Sequence, residues 1–154
     1  VGCGLGDDAE LLAERGFNVT AFDISAEAVR WCKQRHQRST VNYVAADLLA
    51  APENWSAQFD LVVEIYTLQV LPPELRPAAM QALANFVSGD GSLLVIARGR
   101  ETSDDPGAMP WPLTRTELDS LTVAGLEQIS FEDYFDQETP PVRRFRVQYR
   151  NPKR

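Results

Sequence analysis

Residues 1–9 read VGCGLGDDA and residues 21–25 read AFDIS. The first stretch gives the last residue of a strand, a glycine turn and a helix start that Asp7 or Asp8 can cap. Leu11 and Leu12 give that helix an apolar side, and Gly16 suits its left-handed end. Residues 17–22 alternate as a strand ending at Asp23, and Ser25 is a good N-cap for a helix running to about Arg38. A short strand at 41–45 ends before Asp47. Residues 59–66, FDLVVEIY, form a near-continuous apolar run, as a buried parallel strand requires. Pro72, Pro73 and Pro77 mark the entrance of a helix through Met80, Leu83 and Phe86, followed by a turn at 89–91 and a buried strand at 92–97. A polar loop spans 101–112. Thr114 can cap a short helix through Leu118 and Leu121, and two strands follow near 126–134 and 142–149. This alternation predicts an α/β fold built on a parallel sheet with helices on both faces.

The chain has 154 residues, about one domain's worth, and 44% of them are hydrophobic, enough for a core. No apolar run reaches the length of a membrane span, and the start lacks a signal-peptide pattern, so the expectation is no membrane partner. The net charge of -7 argues against nucleic acid, whose backbone calls for a basic surface. All six charges of residues 142–154 are basic, and the favoured reading of them is a final strand with one charged face; the alternative is an RNA-contacting tail. Two cysteines, Cys3 and Cys32, are too few for a disulfide framework and fit a reducing cytoplasm. The glycine motif is already under way at Gly2, with only the last residue of its strand ahead of it. The expectation is therefore a single domain over 1–154 whose first strand is largely missing.

Gly2, Gly4 and Gly6 let backbone approach a ligand with no Cβ in the way. Asp23 ends the second strand about 20 residues later, where a carboxylate can accept both hydroxyl hydrogens of a ribose. The competing role is a turn aspartate ahead of the helix. Asp47 can accept from an exocyclic adenine amine, with Leu48 against the ring, or be a solvated loop acid. Glu64 sits inside an apolar strand, where a carboxylate is costly without a partner, and near the strand end where open α/β sheets bind ligands.

The ordered series VGCGLGDDA, AFDIS, AADLL, FDLVVEIYTLQVLPP and GSLLVIARGR resembles the motifs of class I S-adenosylmethionine-dependent methyltransferases. The closest flavour is the bacterial small-molecule type, including thiopurine- and tellurite-methyltransferase-like enzymes. The resemblance is close over residues 1 to about 100. It implies a Rossmann-like three-layer α/β/α sandwich, mostly parallel, with a C-terminal antiparallel hairpin. It also implies that Gly2, Gly4 and Gly6 line the methionine part of S-adenosyl-L-methionine. Asp23 holds the ribose with Ile24 beside the adenine, and Asp47 and Leu48 contact the adenine. Glu64, Ile65 and Tyr66 face the methionine portion or the acceptor.

The glycine pattern GxGxG, with Asp7 in the next place, differs from the GxGxxG of dinucleotide enzymes. Asp7 and Asp8 would repel a pyrophosphate and tolerate a sulfonium cofactor. In-line displacement at a sulfonium needs positioning and a dry site more than a general base, and no catalytic residue stands out. His36, the only histidine, lies in a basic helical stretch and reads as solvated. No metal cluster of familiar spacing exists. Glu64-Ile65-Tyr66-Thr67 replaces the Asn/Asp/Ser-Pro-Pro-aromatic segment of DNA amino-methyltransferases, which argues against a base amine as acceptor. Trp111, Arg98 and Arg100 lie at the ligand-binding edge. The arginines can hold an anionic acceptor or pair with Glu101 or Asp104. The expected function is methyl transfer to a small-molecule acceptor. The alternatives are a cofactor-binding module without transferase activity and an NAD-linked oxidoreductase.

Overall fold

A computed structural model describes residues 1–152. It divides into two compact units, Val1–Pro52 and Glu53–Arg154.

In the first unit, α1 (Asp7–Glu14) and α2 (Ala26–Arg35) accompany β1 (Thr20–Asp23) and β2 (Asn42–Ala45), which pair in parallel with Thr20 opposite Asn42. No side chain caps α1; its N-cap is Gly6, and Asp7, Asp8 and Glu10 sit inside the first turn, where their charge complements the helix dipole. The sequence expectation that an aspartate caps this helix is thus corrected by one turn position. Gly16, at φ 91°, stops the chain after Arg15. The Ser25 hydroxyl accepts from the Ala28 N–H at 3.2 Å, the expected cap of α2. That helix ends at Arg35 rather than Arg38, and His36, partly exposed, has a ring nitrogen 3.3 Å from the Leu5 carbonyl. Ala9, Ala21, Val29, Cys32, Val41 and Tyr43 form the core of this unit.

The second unit holds β3 (Phe59–Ile65), α3 (Arg76–Phe86), β4 (Val87–Arg98), the short helices α4 (Arg115–Leu118) and α5 (Ser120–Val123), β5 (Glu127–Phe135) and β6 (Arg143–Arg150). Its sheet runs in the order β3-β4-β6-β5; β3 and β4 are parallel, and β6 is antiparallel to both of its neighbours. The expected turn at 89–91 lies within β4. The register passes from Phe59 opposite Val87 to Leu61 opposite Ser92, so β4 bulges there, with Asp90 at φ 63°. Trp55, Phe59 and Phe86 pack together with edge-to-face rings 6.0–6.3 Å apart. A full capping box at Thr114 and Glu117 starts α4.

The basic segment is the charged strand the sequence favoured. On β6, Arg143 pairs with Asp133 and Glu101, Arg144 with Asp136 and Glu138, Arg146 with Glu132 and Arg150 with Asp90. These acids lie mainly on β5 and in the hairpin loop, so cross-strand pairing cancels the charge. Lys153 and Arg154 lie outside the described residues.

Arg76 ties this unit together. It is 3% exposed; its Nε donates to the Leu71 carbonyl at 3.2 Å, and its terminal nitrogens reach Glu117 and the Trp111 carbonyl. Removing it takes the ion-pair partner from one oxygen of the half-buried Glu117 carboxylate, whose other oxygen keeps Thr114, and a side-chain donor from two carbonyls. Arg76→Ala is expected to lower the unfolding free energy by about 3 kcal/mol in urea titrations, whereas Arg30→Ala, at an exposed helical pair, is expected to cost under about 0.5 kcal/mol.

Candidate functional site

Gly2, Gly4 and Gly6 all lie at positive φ (60°, 51° and 87°), and the Gly6 N–H closes the turn onto the Cys3 carbonyl at 2.8 Å. Asp23, at the end of β1, braces this loop. Its Oδ2 accepts from the Gly4 N–H and its Oδ1 from the Ser25 N–H, both at 2.9 Å. Asp23 therefore plays the turn role, and in addition reaches back 19 residues to the glycines. A carboxylate has about four lone-pair sites, so about two remain for a ligand's hydroxyls. The Ala46 N–H donates to the Asp23 carbonyl at 3.0 Å, which joins the end of β2 to the end of β1.

Ile24 is 74% exposed beside Asp23, an apolar side chain left open at the strand end. Asp47 accepts from the Leu49 N–H at 2.9 Å and starts a single 3₁₀ turn. Leu48 is buried and its neighbour Leu49 is exposed. The structure therefore brings Gly2, Gly4, Gly6, Asp23 and Ile24 together and sets Asp47 and Leu48 at the adjoining strand end.

Sequence reading missed the supports beneath the loop. The Cys32 thiol donates to the Gly4 carbonyl at 3.2 Å, and the Tyr43 hydroxyl donates to Glu10 at 2.6 Å. Burial pushes the Cys3 thiol up to about 12, with Cys32 and Asp23 adding to the effect, so it stays protonated at neutral pH. Burial likewise raises the Tyr43 phenol. The available signal was polar-capable side chains at positions whose periodicity faces the core.

The other three predicted residues, Glu64, Ile65 and Tyr66, belong to the second unit. Glu64 is wholly buried. Its Oε1 accepts from the N–H groups of Thr67 at 2.6 Å and Leu68 at 2.9 Å; its Oε2 has no hydrogen-bond partner. Its partners are turn amides. Burial pushes its pKa up to about 7 against the pull of those two amides. Ile65 is half-buried opposite Ile96. Tyr66 departs from the strand at φ 68°, costly for a bulky side chain, and the Arg144 guanidinium lies 4.8 Å from its ring centre.

Arg100 is occupied: it donates to the carbonyls of Pro112, Glu101 and Asp104 and lies 3.7 Å from Glu117. Gln69, 4% exposed, accepts from the Arg98 N–H at 2.7 Å, and its own carbonyl accepts from the Trp111 N–H at 2.7 Å. Trp111 is thereby held by its backbone against the turn after β3. No group of ligating side chains fit for a metal ion occurs among the described residues.

A methyltransferase-domain family profile matches residues 1–91. The chain belongs to the methyltransferase-domain family. It is 26% identical over 137 residues to thiocyanate methyltransferase 1 of Brassica oleracea, covering 86% of this chain and 59% of that protein. It is 24% identical over 119 residues to the Haemophilus influenzae protein named "Probable S-adenosyl-L-methionine-dependent methyltransferase TehB", covering 76% and 41%. The chain thus spans about half the length of these curated relatives. A solved S-adenosylmethionine-dependent methyltransferase from Methanosarcina mazei superposes with a TM-score of 0.85 at 17% identity, over 99% of this chain and 91% of that one. The fold is the Rossmann-like α/β fold of class I methyltransferases, as the motif series implied.

Two outcomes test this geometry. A Cβ on Gly6 would lie 2.5 Å from the Tyr43 hydroxyl and 3.2 Å from the Cys32 sulfur, on a backbone already left-handed. Gly6→Ala is expected to cost on the order of 2–4 kcal/mol of stability by denaturant titration. The second concerns Glu64. With its folded pKa near 7 and an ordinary value of 4.5 when unfolded, the folded state keeps a proton that the unfolded state releases. Its stabilising contribution is complete below about pH 4.5 and is lost as pH rises to about 7. Glu64→Gln, which keeps the acceptor oxygen, is expected to remove this loss. The variant should be more stable than the parent by about 1–3 kcal/mol at pH 8 and nearly equal to it at pH 4.5, in paired thermal melts.

Proposed function

We propose that the protein is an S-adenosyl-L-methionine-dependent methyltransferase acting on a small-molecule acceptor. The single observation that carries this reading is the Asp23 carboxylate, fixed by the Gly4 and Ser25 amides with acceptor capacity to spare, beside a loop whose three glycines carry no Cβ. The reading assigns Gly2, Gly4 and Gly6 to the methionine part of the cofactor, Asp23 to the ribose, and Ile24, Asp47 and Leu48 to the adenine. Glu64, Ile65 and Tyr66 are assigned to the methionine portion or the acceptor. The first turn of α1 supports a cationic cofactor over a dinucleotide: Asp7, paired with Arg35, and Asp8 carry like charge to a pyrophosphate, while Glu10 is taken by the Tyr43 hydroxyl. The family match runs through residue 91, past the boundary at Pro52, which supports one methyltransferase domain made of both units.

Small acceptors are supported by the relatives' names, one of which specifies thiocyanate. The ion-paired arginines of β6 support an acceptor other than nucleic acid. No helix of the described residues is long and apolar enough to cross a membrane. A cytoplasmic, bacterial setting is supported by the two free thiols and by the Haemophilus influenzae relative.

Methyl transfer needs little of the protein beyond placement. S-adenosyl-L-methionine, held by Asp23 and the glycine loop, would supply an electrophilic methyl group to a lone pair of the acceptor, its carbon–sulfur electron pair staying with S-adenosylhomocysteine. The chain's part is to orient the cofactor through Asp23 and the loop amides and to exclude water.

Calorimetry is expected to show S-adenosylhomocysteine binding more tightly than NAD. Asp23→Ala should weaken it by about 1.5–3 kcal/mol, the value of hydrogen bonds to a charged group. Equal or tighter binding of NAD would overturn the reading.

A further inference from the structure

Among the arginines of β4 and β6, Arg98 stands apart. Arg143, Arg144, Arg146 and Arg150 each face a carboxylate, whereas Arg98 makes no ion pair among the described residues. Its Nε is buried and has no hydrogen-bond partner. Directly across the ladder stands Arg144, another guanidinium on the same face of the sheet. Arg144 is itself neutralised by Asp136 and Glu138, so it offers Arg98 no compensation.

An uncompensated guanidinium with a desolvated N–H is costly and finds its partner in an anion. Its backbone is held on both sides: the Arg98 N–H donates to Gln69 and its carbonyl accepts from the Leu113 N–H at 2.8 Å. The side chain therefore starts from a fixed point at the C-terminal end of parallel strand β4, beside the end of β3. Parallel sheets bind ligands at such ends. The adjoining residue at the end of β3 is Tyr66, with its strained backbone and partly exposed ring.

We propose that Arg98 recognises an anionic group on the methyl acceptor, a carboxylate or similar oxyanion that accepts from Nε–H and a terminal N–H of the guanidinium. This rests on the methyltransferase reading for the identity of the ligand as acceptor, but not for the anion site itself. The planar two-donor fork of arginine matches a carboxylate. The acceptors favoured are small acids, not neutral or cationic amines.

The test uses 4-mercaptobenzoate and its neutral isostere 4-mercaptobenzamide as probes. Binding to the protein is measured by calorimetry, and methyl transfer from S-adenosyl-L-methionine by S-adenosylhomocysteine release. The carboxylate is expected to bind at least tenfold more tightly than the amide. Arg98→Gln should abolish that preference, raise KM for the carboxylate at least tenfold and leave KM for S-adenosyl-L-methionine unchanged. Its melting temperature should stay equal to or above that of the parent, since the change removes an unpaired charge.

Equal binding of the two probes, or a preference that survives Arg98→Gln, overturns the proposal. So does a variant that melts well below the parent, because Arg98 would then be a structural residue. Anion preference lost in Arg98→Gln without any binding of S-adenosyl-L-methionine leaves the anion site standing and removes the methyltransferase reading instead.

Discussion

The carboxylate of Asp23 is the constraint on which the first unit's site depends. Three glycines at positive φ make a loop that no regular element stabilises, and such a loop is entropically expensive to hold. Two amides donating to one carboxylate, 19 residues from the glycines at one end and two from Ser25 at the other, convert it into a fixed surface. The Cys32 thiol and the Tyr43 hydroxyl brace the same turn from the core side. A site built this way is preorganised: its donors and acceptors need not be ordered again when a ligand arrives.

The second unit solves a related problem with buried polar side chains. The turn after β3, the loop after β4 and the start of α4 carry backbone groups that no ladder satisfies. Arg76, Gln69 and Glu117 satisfy them, and the Arg76–Glu117 and Gln69–Arg98 bonds join segments distant in sequence. Glu64 is the exception within this network. One oxygen serves two turn amides while the other has no partner, which explains why burial outweighs the amides in setting its protonation.

Charge is distributed in a way that the net value of -7 conceals. All 22 acidic residues and nine of the 15 basic ones lie before residue 142, so the C-terminal segment looks like a cationic tail in one dimension. Folding places residues 143–150 as β6 between β4 and β5, where acids of β5 and the hairpin loop pair with Arg143, Arg144 and Arg146. The guanidinium left over belongs to β4, outside that segment.

The resemblance of the motif series implied the family's fold, and the residues alone determined the element order, the strand-end positions of Asp23, Asp47 and Glu64 and the Ser25 and Thr114 caps. These follow from local rules: hydrophobic period, glycine conformation and capping chemistry act within a few residues. Sequence reading misjudged the 89–91 turn, because a bulge and a turn share the same glycines and differ only in what the neighbouring strand does. Tyr66 gave no warning of its positive φ, which tertiary packing imposes against the residue's own preference. The partners of Glu64, Arg76 and Arg98 were likewise beyond reach. A polar side chain in an apolar run announces that it needs a partner, but which group meets it, or whether any does, depends on distances between segments far apart in the chain.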